Sequence, residues 1–180
     1  MRIDRENSIG LVIDLQEKVL PVIHEQEKLL KNILILIRSM QVLEIPVLIT
    51  EQYVKGLGST VPSVASILKG IERIEKQSFS CCDEPKLMLQ LASSGKENVI
   101  ISGIESHVCV LQTVTDLLKN GFRPIVVEDC VSSRKESDKR TAIQRMQKEG
   151  AIITTYESIL FELLRYSGTE EFKAISRLVK

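Results

Sequence analysis

The 180-residue chain contains no tryptophan, and aromatic residues make up only 4% of it. It carries 24 basic and 24 acidic side chains, so neither sign of charge dominates. Single-stranded nucleic acids are held by stacked aromatic rings in basic grooves, and anionic membranes attract basic surfaces. We therefore expect neither a nucleic acid nor a membrane as a partner.

Cysteine and histidine are also scarce, with four and two residues. Two of the cysteines, Cys81 and Cys82, are adjacent, and this number and spacing do not form a disulfide framework. The first residues are charged rather than apolar, unlike a secretory signal peptide. The apolar stretch 29–37 is interrupted by polar residues and is too short to span a bilayer. These features predict a cytoplasmic protein.

Apolar runs of strand length alternate with amphipathic stretches of helix length along the chain. Strands are predicted at 8–14, 47–50, 72–76, 98–102, 124–128 and 151–154. Helices are predicted at 26–44, 63–68, 84–93, 107–120, 136–149, 156–164 and 169–179, with a loop at 51–61. Such alternation is typical of a parallel sheet covered by helices on both faces. We predict a single domain over residues 1–180, with a three-layer α/β/α architecture and a doubly wound, mostly parallel sheet of about six strands.

Cys109 follows the predicted strand 98–102 and lies in the first turn of the next helix. In an open α/β sheet, ligands bind at the carboxyl ends of the strands. Unpaired backbone N–H groups and the helix dipole favour a thiolate there, so we expect the pKa of this thiol to be lowered. The same position is compatible with a small buried cysteine that only packs in the core.

Two charged residues occupy comparable places. Asp14 ends the predicted strand 8–14, and Lys76 ends the predicted strand 72–76. Taken singly, Asp14 could cap a turn and Lys76 could be solvated, since it lies in a charged stretch. Neither Asp14 nor Lys76 alone therefore identifies a functional site.

Four segments together resemble the isochorismatase-like cysteine hydrolases, over almost the whole chain. They are Asp14-Leu15-Gln16, residues 50–58, Lys76 with Phe79-Ser80, and the long block 103–113. The likeness is greatest to the branch of isochorismatase domain-containing proteins. It implies that Asp14, Lys76 and Cys109 form a catalytic triad, in which Cys109 attacks a carbonyl carbon, Asp14 moves the proton and Lys76 balances the charge.

The resemblance also implies an oxyanion site made by the backbone amides of Glu105 and Cys109, with a cis peptide bond joining Ile104 to Glu105. The candidate substrate contacts are Gln16, Tyr53, Glu105 and His107. For His107, an alternative is a role in capping the helix that follows.

Neither a metal nor another cofactor is expected. Nicotinamidases, which belong to the wider family, hold a metal through Asp-x-His after the second strand, where this chain has Glu51-Gln52-Tyr53. The two histidines, His24 and His107, are not arranged as zinc ligands with a cysteine pair. The glycine-containing segment 56–61 lacks the third glycine of a dinucleotide-binding turn.

A thiol nucleophile suits acyl transfer, so the predicted activity is hydrolysis of a C–N bond, amide or carbamoyl, in a small-molecule substrate. Two alternatives stay open, a non-catalytic binding or regulatory protein on the same fold and a thiol redox protein. A homo-oligomer is also expected, because the last two predicted helices are rich in apolar residues, unless these only cover the last strand. The residues are Leu160, Phe161, Leu163, Leu164, Phe172, Ile175 and Leu178.

Overall fold

The computed structural model describes residues 2–180 and contains one six-stranded sheet. The strands are β1 (Ser8–Ile13), β2 (Val47–Gln52), β3 (Arg73–Lys76), β4 (Asn98–Ile104), β5 (Arg123–Ser132) and β6 (Ile152–Thr154). Their order is β3-β2-β1-β4-β5-β6, and every neighbouring pair is parallel. The order reverses between β1 and β4, which creates a crevice at the carboxyl edge of the sheet.

Helices cover both faces of this sheet. They are α1 (Gln26–Val42), α2 (Val54–Leu57), α3 (Pro62–Ile67), α4 (Pro85–Ser94), α5 (Leu111–Lys119), α6 (Glu136–Glu149), α7 (Tyr156–Leu164) and α8 (Glu170–Val179). One apolar cluster joins α1, α3, α7 and α8 to one face, and a second joins α4, α5 and α6 to the other. The predicted three-layer α/β/α architecture is confirmed.

Three strands run further toward the carboxyl edge than the sequence predicts. β2 includes Glu51 and Gln52, because Gln52 pairs with Lys76 of β3. β4 and β5 stay paired as far as Ile104 and Ser132. The predicted loop 51–61 therefore begins inside the sheet, and it also contains α2. Polar residues hid the continuation in β2 and β5, and Gly103 hid it in β4.

The turn that carries Cys109 is a π-helical turn, Ser106–Val110, rather than the start of a regular α-helix. The backbone oxygen of Glu105 accepts from the N–H groups of Val108, at 3.0 Å, and of Val110, at 3.2 Å. The i→i+5 bond to Val110 is the pattern of a π-turn, which is frequently found at functional sites. α5 begins only at Leu111.

The close approach of β4 to β1 requires a glycine at position 103. Gly103 has φ +123°, and an added Cβ would lie 2.1 Å from the carbonyl oxygen of Ile13. The residue after Ile13 is Asp14, whose own φ is +52°. The tight contact thus lies next to the point where Asp14 leaves the sheet.

The apolar side chains of the last two helices are largely used within the chain. Leu160, Leu163 and Ile175 are buried in the cluster that contains α1 and β5 residues. The rings of Phe161 and Phe172 pack against each other in a tilted arrangement, at a centroid distance of 6.1 Å. These residues therefore do not by themselves indicate an interface. Over residues 2–180, no helix combines the length and the apolar character needed to cross a membrane.

Candidate active site

Three side chains expected to act together meet at the carboxyl edge of the sheet. Asp14 directly follows β1, Lys76 is the last residue of β3, and Cys109 lies in the π-turn after β4. All three are buried, with 4%, 2% and 7% of their surfaces exposed. The parallel sheet explains this convergence, because the carboxyl ends of all its strands share one edge.

Asp14 and Lys76 form a buried ion pair. The Lys76 Nζ lies 2.7 Å from Asp14 Oδ2. The other carboxylate oxygen, Oδ1, accepts a hydrogen bond from the Thr50 hydroxyl at 2.8 Å. Lys76 Nζ also donates to the backbone oxygens of Ser78 and Phe79, each at 3.2 Å. Both charged groups are therefore fixed in position by several partners.

The side-chain amide of Gln52 lies between the ion pair and the thiol. Its Oε1 accepts from Lys76 Nζ at 2.6 Å and lies 4.0 Å from Cys109 Sγ. Its Nε2 donates to the backbone oxygen of Gln77 at 2.7 Å. The side chain of Gln16 holds the Gln52 backbone, accepting from its N–H at 2.7 Å and donating to its carbonyl oxygen at 2.9 Å.

The electrostatic setting of Cys109 differs from the sequence-based expectation. Burial, followed by the negative charge of Asp14, raises the pKa of its thiol, and the opposing effect of Lys76 is smaller. Burial disfavours the charged form of Lys76, but the attraction of the Asp14 carboxylate, with smaller contributions from Cys81 and Cys109, outweighs it and raises the pKa of this ammonium. The expected lowering of the Cys109 pKa is wrong, because burial and the negative charge of Asp14 together outweigh the effect of Lys76.

A cavity of about 340 Å³ opens above Asp14 and Cys109. Most of its wall is apolar, formed by Val19, Val22, Leu57, Phe79, Ile104 and Val108. The charged side chains on the wall include Lys18, Glu105 and Arg134. Arg134 donates to Glu105 Oε2 from its backbone N–H, at 3.0 Å, and from Nε, at 3.1 Å. The cavity thus has a mostly apolar wall, with Asp14 and Cys109 at its floor.

The peptide bond between Ile104 and Glu105 is cis. It joins the end of β4 to the π-turn, and both residues line the cavity. Glu105 is therefore the one of the four candidate substrate contacts that lies on the wall of this cavity.

The other three candidate contacts lie away from the cavity wall. Gln16 is fully buried, and its amide is used by the backbone of Gln52 and, at 2.6 Å, by the carbonyl oxygen of Gly58. Tyr53 is 47% exposed, with its ring against Gly56. Gln16 thus braces the loop after β2, and Tyr53 covers α2.

His107 is directed toward α6 instead of the cavity. Its Nδ1 lies 2.9 Å from the Ser133 hydroxyl, and its Nε2 lies 3.9 Å from Asp138 Oδ2. These contacts tie the π-turn to the end of β5 and to α6. Successive side chains of a helical turn point in different directions, so nearness to Cys109 in sequence did not place His107 in the cavity.

Cys81 and Cys82 are free thiols in a protected environment. Burial raises the pKa of Cys81 to about 11 and that of Cys82 to about 12. Cys81 Sγ lies 3.8 Å from the Thr50 hydroxyl, and its N–H donates to Thr113 Oγ1 at 2.9 Å. Thiols that stay protonated at neutral pH are poor redox nucleophiles, so this environment does not support the redox alternative.

The residues at the position where nicotinamidases bind metal serve other contacts. Glu51 Oε1 accepts from the backbone N–H and the hydroxyl of Thr60, at 2.7 and 2.6 Å. Within residues 2–180, the structure contains no group of three histidine, cysteine, aspartate or glutamate side chains that could hold a metal ion.

Sequence reasoning missed Thr50 and Gln52 as parts of the site. A usable signal exists, because residues two apart in a strand point to the same face, and both residues are polar near the end of an apolar strand. The pairing of Gln52 with Lys76 then aligns Gln52 with the ion pair.

Comparison with known proteins agrees with this fold. The sequence profile of the Isochorismatase domain matches residues 8–158. Isochorismatase domain-containing protein 2A of Mus musculus is 37% identical, over 99% of this chain and 85% of the mouse protein. A solved structure of the MAR1 ribonuclease from Caenorhabditis elegans is 40% identical, with a TM-score of 0.94 over 99% of this chain and 92% of that chain.

A second solved structure, the YcaC gene product of Escherichia coli, is described as an octameric hydrolase of unknown specificity. It is 23% identical and has a TM-score of 0.93, over 99% of this chain and 90% of that chain. At this identity the likeness concerns the fold. The profile match and the mouse relative go further, and the chain belongs to the isochorismatase domain family.

Proposed function

We propose that this protein hydrolyses a C–N bond, amide or carbamoyl, of a small molecule, with Cys109 as the nucleophile. The observation that carries the proposal is the buried Asp14–Lys76 pair at the floor of the cavity that also exposes Cys109. A carboxylate next to a thiol can move its proton, which is the requirement for a cysteine nucleophile that is protonated at rest.

The proposed reaction begins with a neutral thiol, because the pKa of Cys109 is raised. Asp14 accepts the thiol proton while the sulfur attacks the carbonyl carbon. It then donates that proton to the departing nitrogen, and an acyl thioester remains on Cys109. In the second half, Asp14 accepts a proton from water and the hydroxide adds to the thioester. The C–S bond then breaks, the carboxylic acid leaves, and Asp14 returns the proton to the sulfur. Lys76 keeps the Asp14 carboxylate oriented throughout.

The negative oxygen that develops during attack needs convergent N–H donors. We assign this role to two backbone amides. Glu105 directly precedes the π-turn, and Cys109 lies within it. Support comes from their position, since both residues line the same cavity as Asp14.

The cavity favours a small substrate with an apolar acyl group. Its volume of about 340 Å³ lies at the lower end of the usual range for small-molecule sites. Val19, Val22 and Phe79 form part of a wall that would contact an aliphatic or aromatic group. We propose that no metal or other cofactor takes part, so dialysis against a strong chelator should leave turnover intact.

Ammonia release from a panel of primary amides tests the proposal. The panel runs from acetamide to hexanamide and includes benzamide and N-carbamoyl amino acids. Wild type should turn over at least one compound, Cys109→Ala should turn over none, and Cys130→Ala is the matched control. Cys130 is a buried thiol in the apolar cluster on the α1 side of the sheet, so its variant should keep the wild-type rate.

An RNA substrate is included in the same experiment, because the Caenorhabditis elegans neighbour is called a ribonuclease. RNA cleavage that disappears in Cys109→Ala, without amide turnover, would replace the proposed reaction with phosphodiester cleavage. Activity that is unchanged in Cys109→Ala would exclude Cys109 as the nucleophile. Absence of any turnover, together with partner capture that survives Cys109→Ser, would favour a binding protein.

We also propose a homo-oligomer in the cytoplasm. Val22 and Phe79, at 58% and 55% exposure, leave apolar surface beside the cavity, and Leu89 is 70% exposed. The Escherichia coli neighbour is described as octameric. Four free thiols suit a reducing compartment. A monomeric mass in light scattering at micromolar concentration would overturn the first proposal, and cell fractionation tests the second.

A further inference from the structure

The carboxamide of Gln52 faces the reacting sulfur, yet the mechanism proposed above gives it no task. We propose that Gln52 is a specificity-determining residue: its Oε1 accepts an N–H of the scissile amide, so the site selects substrates that carry at least one hydrogen on that nitrogen. This inference rests on the proposed role of Cys109 in C–N hydrolysis and narrows the substrate class to primary and monosubstituted amides.

The orientation of the Gln52 amide is fixed by its partners. The ammonium of Lys76, at 2.6 Å, can only donate, so the atom that faces it is the oxygen. The backbone oxygen of Gln77, at 2.7 Å, can only accept, so the atom that faces it is the nitrogen. Gln16 holds the Gln52 backbone on both sides. The amide therefore presents an acceptor to the thiol and cannot exchange it for a donor without losing both contacts.

Lys76 does not need Gln52 to satisfy its hydrogen bonds. An ammonium has three N–H donors, and Asp14 Oδ2 with the backbone oxygens of Ser78 and Phe79 already supplies three acceptors. Gln52 Oε1 is a fourth acceptor around the same nitrogen. Support of Lys76 alone therefore does not explain why a carboxamide is held here.

The distance from Gln52 Oε1 to Cys109 Sγ suits a substrate that touches both atoms. The two atoms are 4.0 Å apart, and a carbonyl oxygen has a second lone pair besides the one used by Lys76. A reacting atom can lie about 3 Å from each end of such a gap. If the carbonyl carbon approaches the sulfur, the nitrogen bonded to that carbon can approach Oε1 and donate its hydrogen.

Such an acceptor discriminates among acyl compounds. A primary amide or a carbamoyl group provides the hydrogen, whereas an ester or an N,N-dialkyl amide provides none. A site built to bond an N–H discriminates against analogues that lack it, because the second lone pair of Gln52 Oε1, the one not used by Lys76, would then have no donor. Asp14 does not make this distinction, because in the proposed reaction it takes the thiol proton whether the substrate is an amide or an ester.

The test compares substrates that share an acyl group, using the amide of the panel that wild type turns over fastest. Its N,N-dimethyl amide and its p-nitrophenyl ester are the analogues without N–H. Gln52→Met keeps the length of the side chain and removes the acceptor. We expect kcat/KM for the primary amide to fall about ten- to a hundredfold, and that for the ester to change less than threefold. Tyr53→Phe, next to Gln52 but outside the cavity wall, is the control and should change neither.

Gln52→Glu is the conservative variant, because it keeps an acceptor oxygen at the same place. We expect its amide-to-ester ratio to stay within threefold of wild type even where both rates fall. Equal losses for the amide and the ester in Gln52→Met would overturn the inference and leave Gln52 with a purely structural role.

If Gln52→Met fails to fold, a measurement on the wild-type protein still tests whether the site selects substrates with an N–H. Wild type should favour the primary amide over its N,N-dimethyl derivative by at least a hundredfold, and similar rates for both would overturn the inference. The proposed function fails differently: wild type would then hydrolyse no amide at all, or would do so independently of Cys109.

Discussion

Lys76 Nζ and the Asp14 carboxylate lie 2.7 Å apart, with side chains that are 0% and 6% exposed. Removing two charges from water costs several kcal/mol each, and their attraction only offsets this loss when the geometry and the remaining hydrogen bonds are good. Thr50, Ser78 and Phe79 supply those bonds here. The pair is therefore stable as a unit, but each member depends on the other.

The first prediction concerns this dependence. Lys76→Met should lower the free energy of unfolding by about 3–5 kcal/mol, because Asp14 would remain buried without its counter-ion. Urea denaturation at neutral pH measures the change.

The double variant Asp14→Asn/Lys76→Met is the control for this prediction. It removes both charges together, so its loss should be smaller than the sum of the two single losses. Additive losses would mean that the two charges do not stabilise each other.

The second prediction concerns the reactivity of Cys109. Asp14→Asn should lower the pKa of this thiol, because the negative charge of Asp14 is the largest cause of the raised value after burial. Lys76 would then also be free to stabilise the thiolate. Alkylation of Cys109 by iodoacetamide at pH 8 should become severalfold faster, while hydrolysis is lost because the proton acceptor is gone. Peptide mapping gives the alkylation rate at each cysteine.

Asp116→Asn provides a matched comparison for this experiment. Asp116 contributes to the raised pKa of Cys82, and it is not among the groups that shift Cys109. This variant should therefore leave alkylation of Cys109 unchanged. Slower alkylation of Cys109 in Asp14→Asn would contradict the assignment of Asp14 as the group that keeps the thiol protonated.

The family resemblance named the three candidate catalytic residues, and the predicted strands of a parallel sheet explain why they lie at one edge. Asp14 and Lys76 end apolar or strand-like runs, and Cys109 follows another. The carboxyl ends of parallel strands share one edge, so the strand assignment alone brings the three residues to the same side of the molecule.

The rest of the site depends on facts that patterns along the chain do not contain. Gln52 was missed because the polar end of β2 resembles a loop until its pairing with β3 is known. Gln16 and His107 were misplaced because nearness in sequence does not fix the direction of a side chain. The Cys109 pKa was misjudged because burial of the thiol and the nearness of Asp14 both raise it, and neither can be seen along the chain.

The third prediction concerns stability at alkaline pH. The pKa of Cys81 rises from 9.0 to about 11 on folding. A raised pKa stabilises the fold fully below the unfolded value, and the contribution disappears as pH rises through the folded value. Lys76, whose pKa is raised from 10.5, acts in the same direction at higher pH. The free energy of unfolding, measured in urea, should therefore fall between pH 9 and 11, with Cys81 contributing on the order of 2 kcal/mol.

Cys81→Ala separates the thiol from the other groups that titrate in this range. The variant should start from a lower stability at pH 7.5, because a buried side chain is truncated, and should then lose less on the way to pH 11. Parallel curves for the variant and wild type would show that ionisation of Cys81 is not linked to unfolding.

The fourth prediction concerns the glycine that lets β4 approach β1. Gly103→Ala should destabilise the protein by about 4 kcal/mol or more, because the new Cβ would meet the Ile13 carbonyl oxygen at 2.1 Å and φ is +123°. Gly95→Ala is the matched control: its φ is also positive, at +65°, but an added Cβ meets no atom within 4 Å. Gly95→Ala should lower the free energy of unfolding by only about 1 kcal/mol, because alanine disfavours the left-handed conformation. Thermal unfolding of both variants measures the difference, and similar losses would show that close packing of β4 on β1 does not limit position 103.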